Sequence, residues 1–172
     1  LCGTMSVGKT TLVNALKELD QFKGYNFATE RSQHLMSLGI PLNTDSTLKG
    51  QTVFLAERCG ELMHDNIITD RTILDVMAFT MNAKSIPYQD KEAFETYASE
   101  FIREYDYIFY ISPHGLEIED NGVRETDEHY RDLIDFTITT LIKRHGHKAG
   151  AIEKISGSTE ERIQQILNVT KL

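Results

Sequence analysis

The 172-residue chain has no tryptophan, only three prolines and two cysteines, and no surplus of positive charge. Each scarcity removes a class of protein. Cys2 and Cys59 stand far from each other and from any histidine-rich tract, so neither a disulfide framework nor a zinc site is expected, and a reducing cytoplasm fits. The six histidines show no H-E-x-x-H spacing. His145-Gly146-His147 closes a helical pattern, where a cation is favourable, and reads as structural. No apolar run approaches the roughly 18 residues that cross a bilayer. No stretch resembles a secretory signal, so no membrane partner is expected. A formal charge of −8 repels a long polyanion, although a local cluster of Lys, Arg and backbone N–H groups still binds a phosphate. What remains is an ordinary mixture, 40% hydrophobic and 26% charged, without repeats or low-complexity tracts. It suffices for one domain with its own core.

The periodicity alternates short apolar strands with amphipathic helices. Leu1-Cys2 reads as the end of a first strand, and Tyr25 to Thr29, Asn66 to Thr69, Tyr107 to Ile111 and Ala151 to Ile155 as later ones. Tyr-Ile-Phe-Tyr-Ile at 107–111 is apolar throughout, as in a strand covered on both faces. Helices are expected over Lys9 to Leu19, Ser32 to Leu38, Thr47 to His64, Ile73 to Asn82, Asp90 to Tyr105, Glu128 to His145, and after Ser156-Gly157-Ser158. In the third of these the expected inward positions are Val53, Leu55, Ala56, Leu62 and Met63; in the fifth they are Phe94, Tyr97, Ala98, Phe101 and Ile102, and in the sixth Leu133, Ile134, Ile138, Leu141 and Ile142. Such alternation predicts a central parallel sheet with helices on both faces, a three-layer α/β/α sandwich. Ligands of such sheets bind beyond the strand carboxyl ends.

At the first of these ends stands Gly3-Thr4-Met5-Ser6-Val7-Gly8-Lys9-Thr10, a match to G-x-x-x-x-G-K-[ST]. The glycines let the backbone curl with its N–H groups inward, and the dipole of the following helix adds to that field. Lys9 is expected to reach the β- and γ-phosphates of ATP and Thr10 to hold Mg2+, with Thr11 next to them in the nucleotide site. A P-loop follows a buried strand, so the rest of that strand, a few N-terminal residues, is expected upstream of Leu1.

The loop specifies a nucleotide, not an acceptor. A switch GTPase would carry N-K-x-D, which is absent, and a motor ATPase an apolar strand ending in Asp-Glu. Here the comparable strand ends Ile67-Ile68-Thr69-Asp70-Arg71. Asp70-Arg71-Thr72, with Asp75 beyond it, resembles the Asp/Glu-Arg-Ser/Thr element of nucleoside and nucleotide kinases, thymidylate kinase among them. Glu119-Asp120-Asn121-Gly122-Val123-Arg124, then Tyr130-Arg131, resembles the lid of P-loop kinases related to ribosylnicotinamide kinase, a group with many phage members. Glu30-Arg31 departs from the Glu-Pro form common in deoxynucleoside kinases.

The resemblance implies a nucleoside-monophosphate-kinase-like P-loop NTPase fold over residues 1–172, with a lid at about 113–131. It implies transfer of the γ-phosphate of Mg-ATP to a nucleoside- or nucleotide-like acceptor. Phosphoryl transfer needs positioning and neutralised charge, for which Lys9, Arg71, Arg124 and Arg131 are the candidate cations and Thr10 and Asp70 the metal side. Arg124 and Arg131 are expected to swing inward on closure. Glu30 is the first choice of general base and Asp70 the second. Ser156 and Gly157 lie where related kinases hold adenine by backbone contacts. Two alternatives stand beside this reading: a phage-type kinase acting on 5-hydroxymethyluridine within DNA, and a regulatory ATPase without an acceptor.

Overall fold

A computed structural model describes residues 1–29, 32–116 and 127–172. Its centre is the Tyr-Ile-Phe-Tyr-Ile strand. Ile108 and Tyr110 point into one core cluster with Cys2, Leu74, Met77, Ile102, Ile134 and Ile138. Phe109 and Ile111 point into a second, with Leu1, Val7, Leu12, Leu16, Ile155 and Ile166. Successive side chains of a strand alternate faces, so an apolar run without polar interruptions is covered on both.

Along the chain come α1 (Lys9–Lys17), β1 (Asn26–Ala28), α2 (Ser32–Ser37), α3 (Leu48–Glu61) and β2 (Ile67–Thr69). They are followed by α4 (Ile73–Asn82), α5 (Tyr88–Ala98), β3 (Tyr107–Ile111), α6 (Glu128–His145), β4 (Ala151–Ile155) and α7 (Thr159–Thr170). β1 pairs with β2 in parallel, Phe27 opposite Ile68, and β3 with β4, Phe109 opposite Glu153. Leu1-Cys2 joins the two pairs. The Leu1 nitrogen donates to the Thr69 carbonyl (2.7 Å) and the Arg71 N–H to that of Leu1 (3.0 Å). On the other side the Cys2 N–H donates to Phe109 and the Ile111 N–H to Cys2, both at 2.9 Å. All pairings are parallel, so the phosphate loop and the carboxyl ends of β1, β2, β3 and β4 share one rim. α1 packs with α7 on one face and α4 with α5 and α6 on the other. No helix among the described residues is long and apolar enough to cross a membrane.

The structure departs from the sequence reading where polar residues turn inward. In α3 the buried positions are Gly50, Gln51, Leu55 and Arg58. Ala56 and Met63, expected inside, are exposed, Met63 at 84%. The helix is rotated because Arg58 finds two acceptors: the Asp70 carbonyl (3.1 Å) and the Glu61 carboxylate (2.6 Å). A buried guanidinium is tolerated once hydrogen-bonded. The helix expected over 90–105 is α5 followed by a 3₁₀ stretch, Ser99–Glu104, which leaves Tyr97 63% exposed instead of inward. Leu133, also expected inside, is 40% exposed on α6. His145, at the end of α6, lies 2.7 Å from the Glu95 carboxylate, which also accepts from Arg144 (2.5 Å), tying α6 to α5.

Candidate active site

The phosphate loop leaves Cys2 and enters α1 through backbone at positive φ: 150° at Gly3, 58° at Ser6 and 81° at Gly8. Glycine is required at position 3 for a second reason. A Cβ there would lie 2.5 Å from the Ile111 carbonyl oxygen and 3.1 Å from a Val7 methyl. Gly3→Ala is therefore expected to destabilise the chain by roughly 2–4 kcal/mol, combining overpacking with backbone strain. A urea denaturation midpoint lowered at unchanged slope would show it.

Distant elements fasten the loop. Asp75, fully buried in the first turn of α4, accepts from the Gly3 N–H (3.1 Å) through one oxygen. Its other oxygen accepts from the Thr72 N–H (2.7 Å) and hydroxyl (2.8 Å), a capping box that starts α4. Asp75 is thus committed to the loop and the cap. Thr72 is the cap residue. The Thr4 hydroxyl donates to the Arg131 carbonyl on α6 (3.2 Å). The Arg162 guanidinium of α7 donates to the Val7 carbonyl (2.7 Å).

Lys9 is buried, its ammonium held by the Gly3 and Thr4 carbonyls, each at 2.7 Å. Burial, and then the Arg71 charge, push its pKa below the ordinary lysine value, while Asp75 and Asp70 oppose the shift. Gly8, Thr10 and Thr11 face outward from the loop and first turn. The Thr10 hydroxyl makes a short hydrogen bond to one carboxylate oxygen of Asp70. Asp70 is 1% exposed, and its other carboxylate oxygen has no hydrogen-bond partner among the described residues. Its backbone is pinned by the Ala28 carbonyl and by Arg58.

Arg71 adopts φ 91°, which a non-glycine residue rarely takes. That turn sends its guanidinium over the Phe79 ring, 5.1 Å from the centroid. There Arg71 borders a cavity of about 40 Å³, lined also by Asn43, Ser46, Gln51, Phe54 and Phe79. Gln51 is 3% exposed and lines this cavity. The Ser46 hydroxyl is buried without a hydrogen-bond partner among the described residues. A larger groove of about 660 Å³ opens at the opposite, amino-terminal ends of the strands, but Asp65, Glu104 and Asp106 line it and, among the described residues, no Lys or Arg does.

Of the expected site residues, Gly3 to Thr11, Asp70 and Arg71 come together on the rim. Glu30, Arg31 and Arg124 lie outside the described residues. Arg131 is placed differently from the expectation of a swinging cation. It is 9% exposed and donates to the Leu116 carbonyl (2.7 Å), bracing the start of α6 against the chain after β3. The backbone of Ser156 is already engaged: its N–H and carbonyl bond the Gln165 amide at 3.3 and 2.8 Å. Gly157, at φ 92°, turns the chain into α7. Gln51, Asp75 and Arg162 were not singled out as site residues from the sequence. The i+3 spacing of Thr72 and Asp75 carried the only local signal, a capping box; the other two bear on the site through tertiary contacts alone. No group of three His, Cys, Asp or Glu side chains able to hold a metal occurs among the described residues.

The loop between a central parallel strand and α1, with a two-faced sheet behind it, defines a P-loop NTPase. Residues 1–162 match the AAA domain family, and the chain belongs to it. In structure the chain is similar to deoxyadenosine kinase from M. mycoides with bound dCTP. The identity is 19%, the coverage 99% of this chain and 96% of that one, and the TM-score 0.66. The same kinase with the products dCMP and a flexible dCDP also matches, at 19% identity, 98% and 95% coverage and TM-score 0.66. This likeness establishes the fold. No curated protein matches the chain in sequence.

Proposed function

We propose that the chain is a kinase that transfers the γ-phosphate of Mg-ATP to a nucleoside- or nucleotide-like acceptor. One observation carries the reading: Asp70 and Arg71 are consecutive, yet Asp70 turns to Thr10 at the phosphate loop and Arg71 turns to the Gln51–Phe79 cavity. Their junction is where a phosphate would cross from donor to acceptor. The similar deoxyadenosine kinase, with dCTP or with dCMP and dCDP bound, supports an acceptor of this class.

The donor set fits magnesium. A hydroxyl and a carboxylate with a spare buried oxygen are the hard ligands Mg2+ takes, one or two from protein beside phosphate and water. Bound there, the ion would neutralise charge on the β- and γ-phosphates. The chain's own groups do the rest. Loop N–H groups cradle the phosphates, and Lys9 exchanges its carbonyl partners for phosphate oxygens. Arg71 holds the acceptor side. The acceptor oxygen bonds to the γ-phosphorus as the bond to the ADP oxygen breaks, and the acceptor proton passes to a carboxylate. With Asp70 on the metal side, Glu30 is the proposed base.

The cavity of about 40 Å³ holds little more than a water, so the segment from α2 to α3 moves outward when an acceptor enters. The Gln51 amide, on the wall of that cavity, is the group expected to read a base edge. Gln51→Leu should raise the acceptor KM roughly tenfold to a hundredfold and leave the KM for ATP unchanged. The function itself is tested with γ-labelled ATP and a panel of nucleosides, nucleoside monophosphates, ribosylnicotinamide and DNA containing 5-hydroxymethyluridine. Label on a small nucleoside-class acceptor is expected. Label on the DNA alone, or free phosphate without a labelled acceptor, would replace the reading with the DNA kinase or the acceptor-less ATPase.

A further inference from the structure

Arg162 lies 155 residues from the carbonyl it holds, on a helix with no motif of its own. It is 7% exposed, and no carboxylate pairs with it among the described residues. Its Nε has no partner there, and burial lowers its pKa from the ordinary arginine value. A buried cation so sparsely compensated is costly to fold. Its position suggests what the cost secures. One guanidinium nitrogen donates to the Val7 carbonyl (2.7 Å), and a Cβ on Gly8 would lie 3.2 Å from that nitrogen. Arg162 therefore packs against the outside of the phosphate loop at the Val7–Gly8 peptide.

In a trans peptide the C=O and the following N–H point in opposite directions. A Val7 carbonyl held outward by Arg162 therefore sends the Gly8 N–H inward, toward the place of the phosphates. This peptide is the one most in need of such a hold. Gly8, at φ 81°, has no side chain to bar a flip that would aim the carbonyl at the anion. Lys9 holds the carbonyls of Gly3 and Thr4, at the other end of the loop. α7 begins directly after the Ser156–Gly157 turn, which Gln165 and Glu161 fasten to the helix. One rigid helix thus sets both that turn and the Gly8 N–H.

We infer that Arg162 is a positioning residue of the nucleotide site, keeping the Val7–Gly8 peptide turned so that the Gly8 N–H meets a nucleotide phosphate. The inference rests on the loop binding a nucleotide, as in the reading above, and needs no acceptor.

The test compares Arg162→Gln and Arg162→Lys with the native chain, measuring the Kd for Mg-ADP by calorimetry well below each melting temperature. The same samples, labelled with 15N, report the Gly8 amide resonance with and without Mg-ADP. Loss of a charge-assisted bond predicts roughly tenfold to a hundredfold weaker binding in the Gln variant. The Lys variant, with a shorter stem and no planar fork, loses less but still measurably. In both, the Gly8 resonance shift on binding shrinks. A merely structural arginine would lower the melting temperature and leave Kd and the Gly8 shift untouched. A folded Gln variant that binds as the native chain does overturns the inference. Should that variant not fold, a Lys variant with native Kd and native Gly8 shift overturns it. Binding is measured without an acceptor, so a failure of the kinase reading in the transfer assay is separately visible.

Discussion

Lys9→Ala is expected to lower phosphate transfer by roughly a thousandfold or more, about 4 kcal/mol of transition-state stabilisation. Lys9 is the one loop side chain whose charge lies within the cradle, and the backbone N–H groups cannot replace a mobile cation. Folding should respond quite differently. The native ammonium gains two carbonyl partners but is disfavoured by burial and by Arg71, so its removal leaves the unliganded stability changed by only about 1 kcal/mol. The sign of its pH dependence follows from the lowered pKa. Between the folded-state pKa and the ordinary lysine value the unfolded chain binds the extra proton, so native stability rises with pH there. Below that window both states are protonated and the penalty is constant. Urea titrations of the two chains at rising alkaline pH should show native stability gaining on Lys9→Ala. A constant difference would mean that the buried amine is not strained electrostatically.

Asp70→Asn is the second large effect, with a loss of roughly a thousandfold in transfer rate and of any strengthening of nucleotide binding by Mg2+. It should also raise the melting temperature. In the unliganded chain one Asp70 oxygen is buried with no hydrogen-bond partner among the described residues, and an amide keeps the shape without a charge to bury at that oxygen. A gain of about 1 kcal/mol is expected, the stability–function trade common at active sites. Nucleotide titrations with and without Mg2+ and thermal melts of both chains check both halves. An Asp70 that served only the fold would give the opposite pair: a lower melting temperature and intact Mg2+ dependence.

Much of the frame was legible because its causes are local. The Tyr-Ile-Phe-Tyr-Ile run, the Ala151–Ile155 strand and the Ile73–Asn82 helix fall where periodicity puts them, since each is read from neighbouring residues. Met63 and Tyr97 were misjudged because apolar character alone does not choose a helix face when a polar partner waits on the other side. For α3 that partner is the Asp70 carbonyl, twelve residues from Arg58 along the chain and invisible to helical spacing. Arg131 is held at the start of α6 for a related reason. Its nearest acceptor is a carbonyl on the preceding connection, and a buried cation takes the acceptor at hand.

By itself the sequence determined the phosphate loop and the parallel α/β layering, because glycine spacing and hydrophobic period act over a few residues. It also set Asp70 beside Arg71 at a strand end. Only the tertiary structure decided that these two diverge, Asp70 to Thr10 and Arg71 over Phe79, through backbone that turns at an unusual φ. Only it brought Asp75 to the Gly3 N–H, Gln51 to the cavity beside Arg71 and Arg162 onto the Val7 carbonyl. Those contacts join residues tens to more than a hundred positions apart, and what selects them is the need of each buried donor or acceptor for a partner once water is gone.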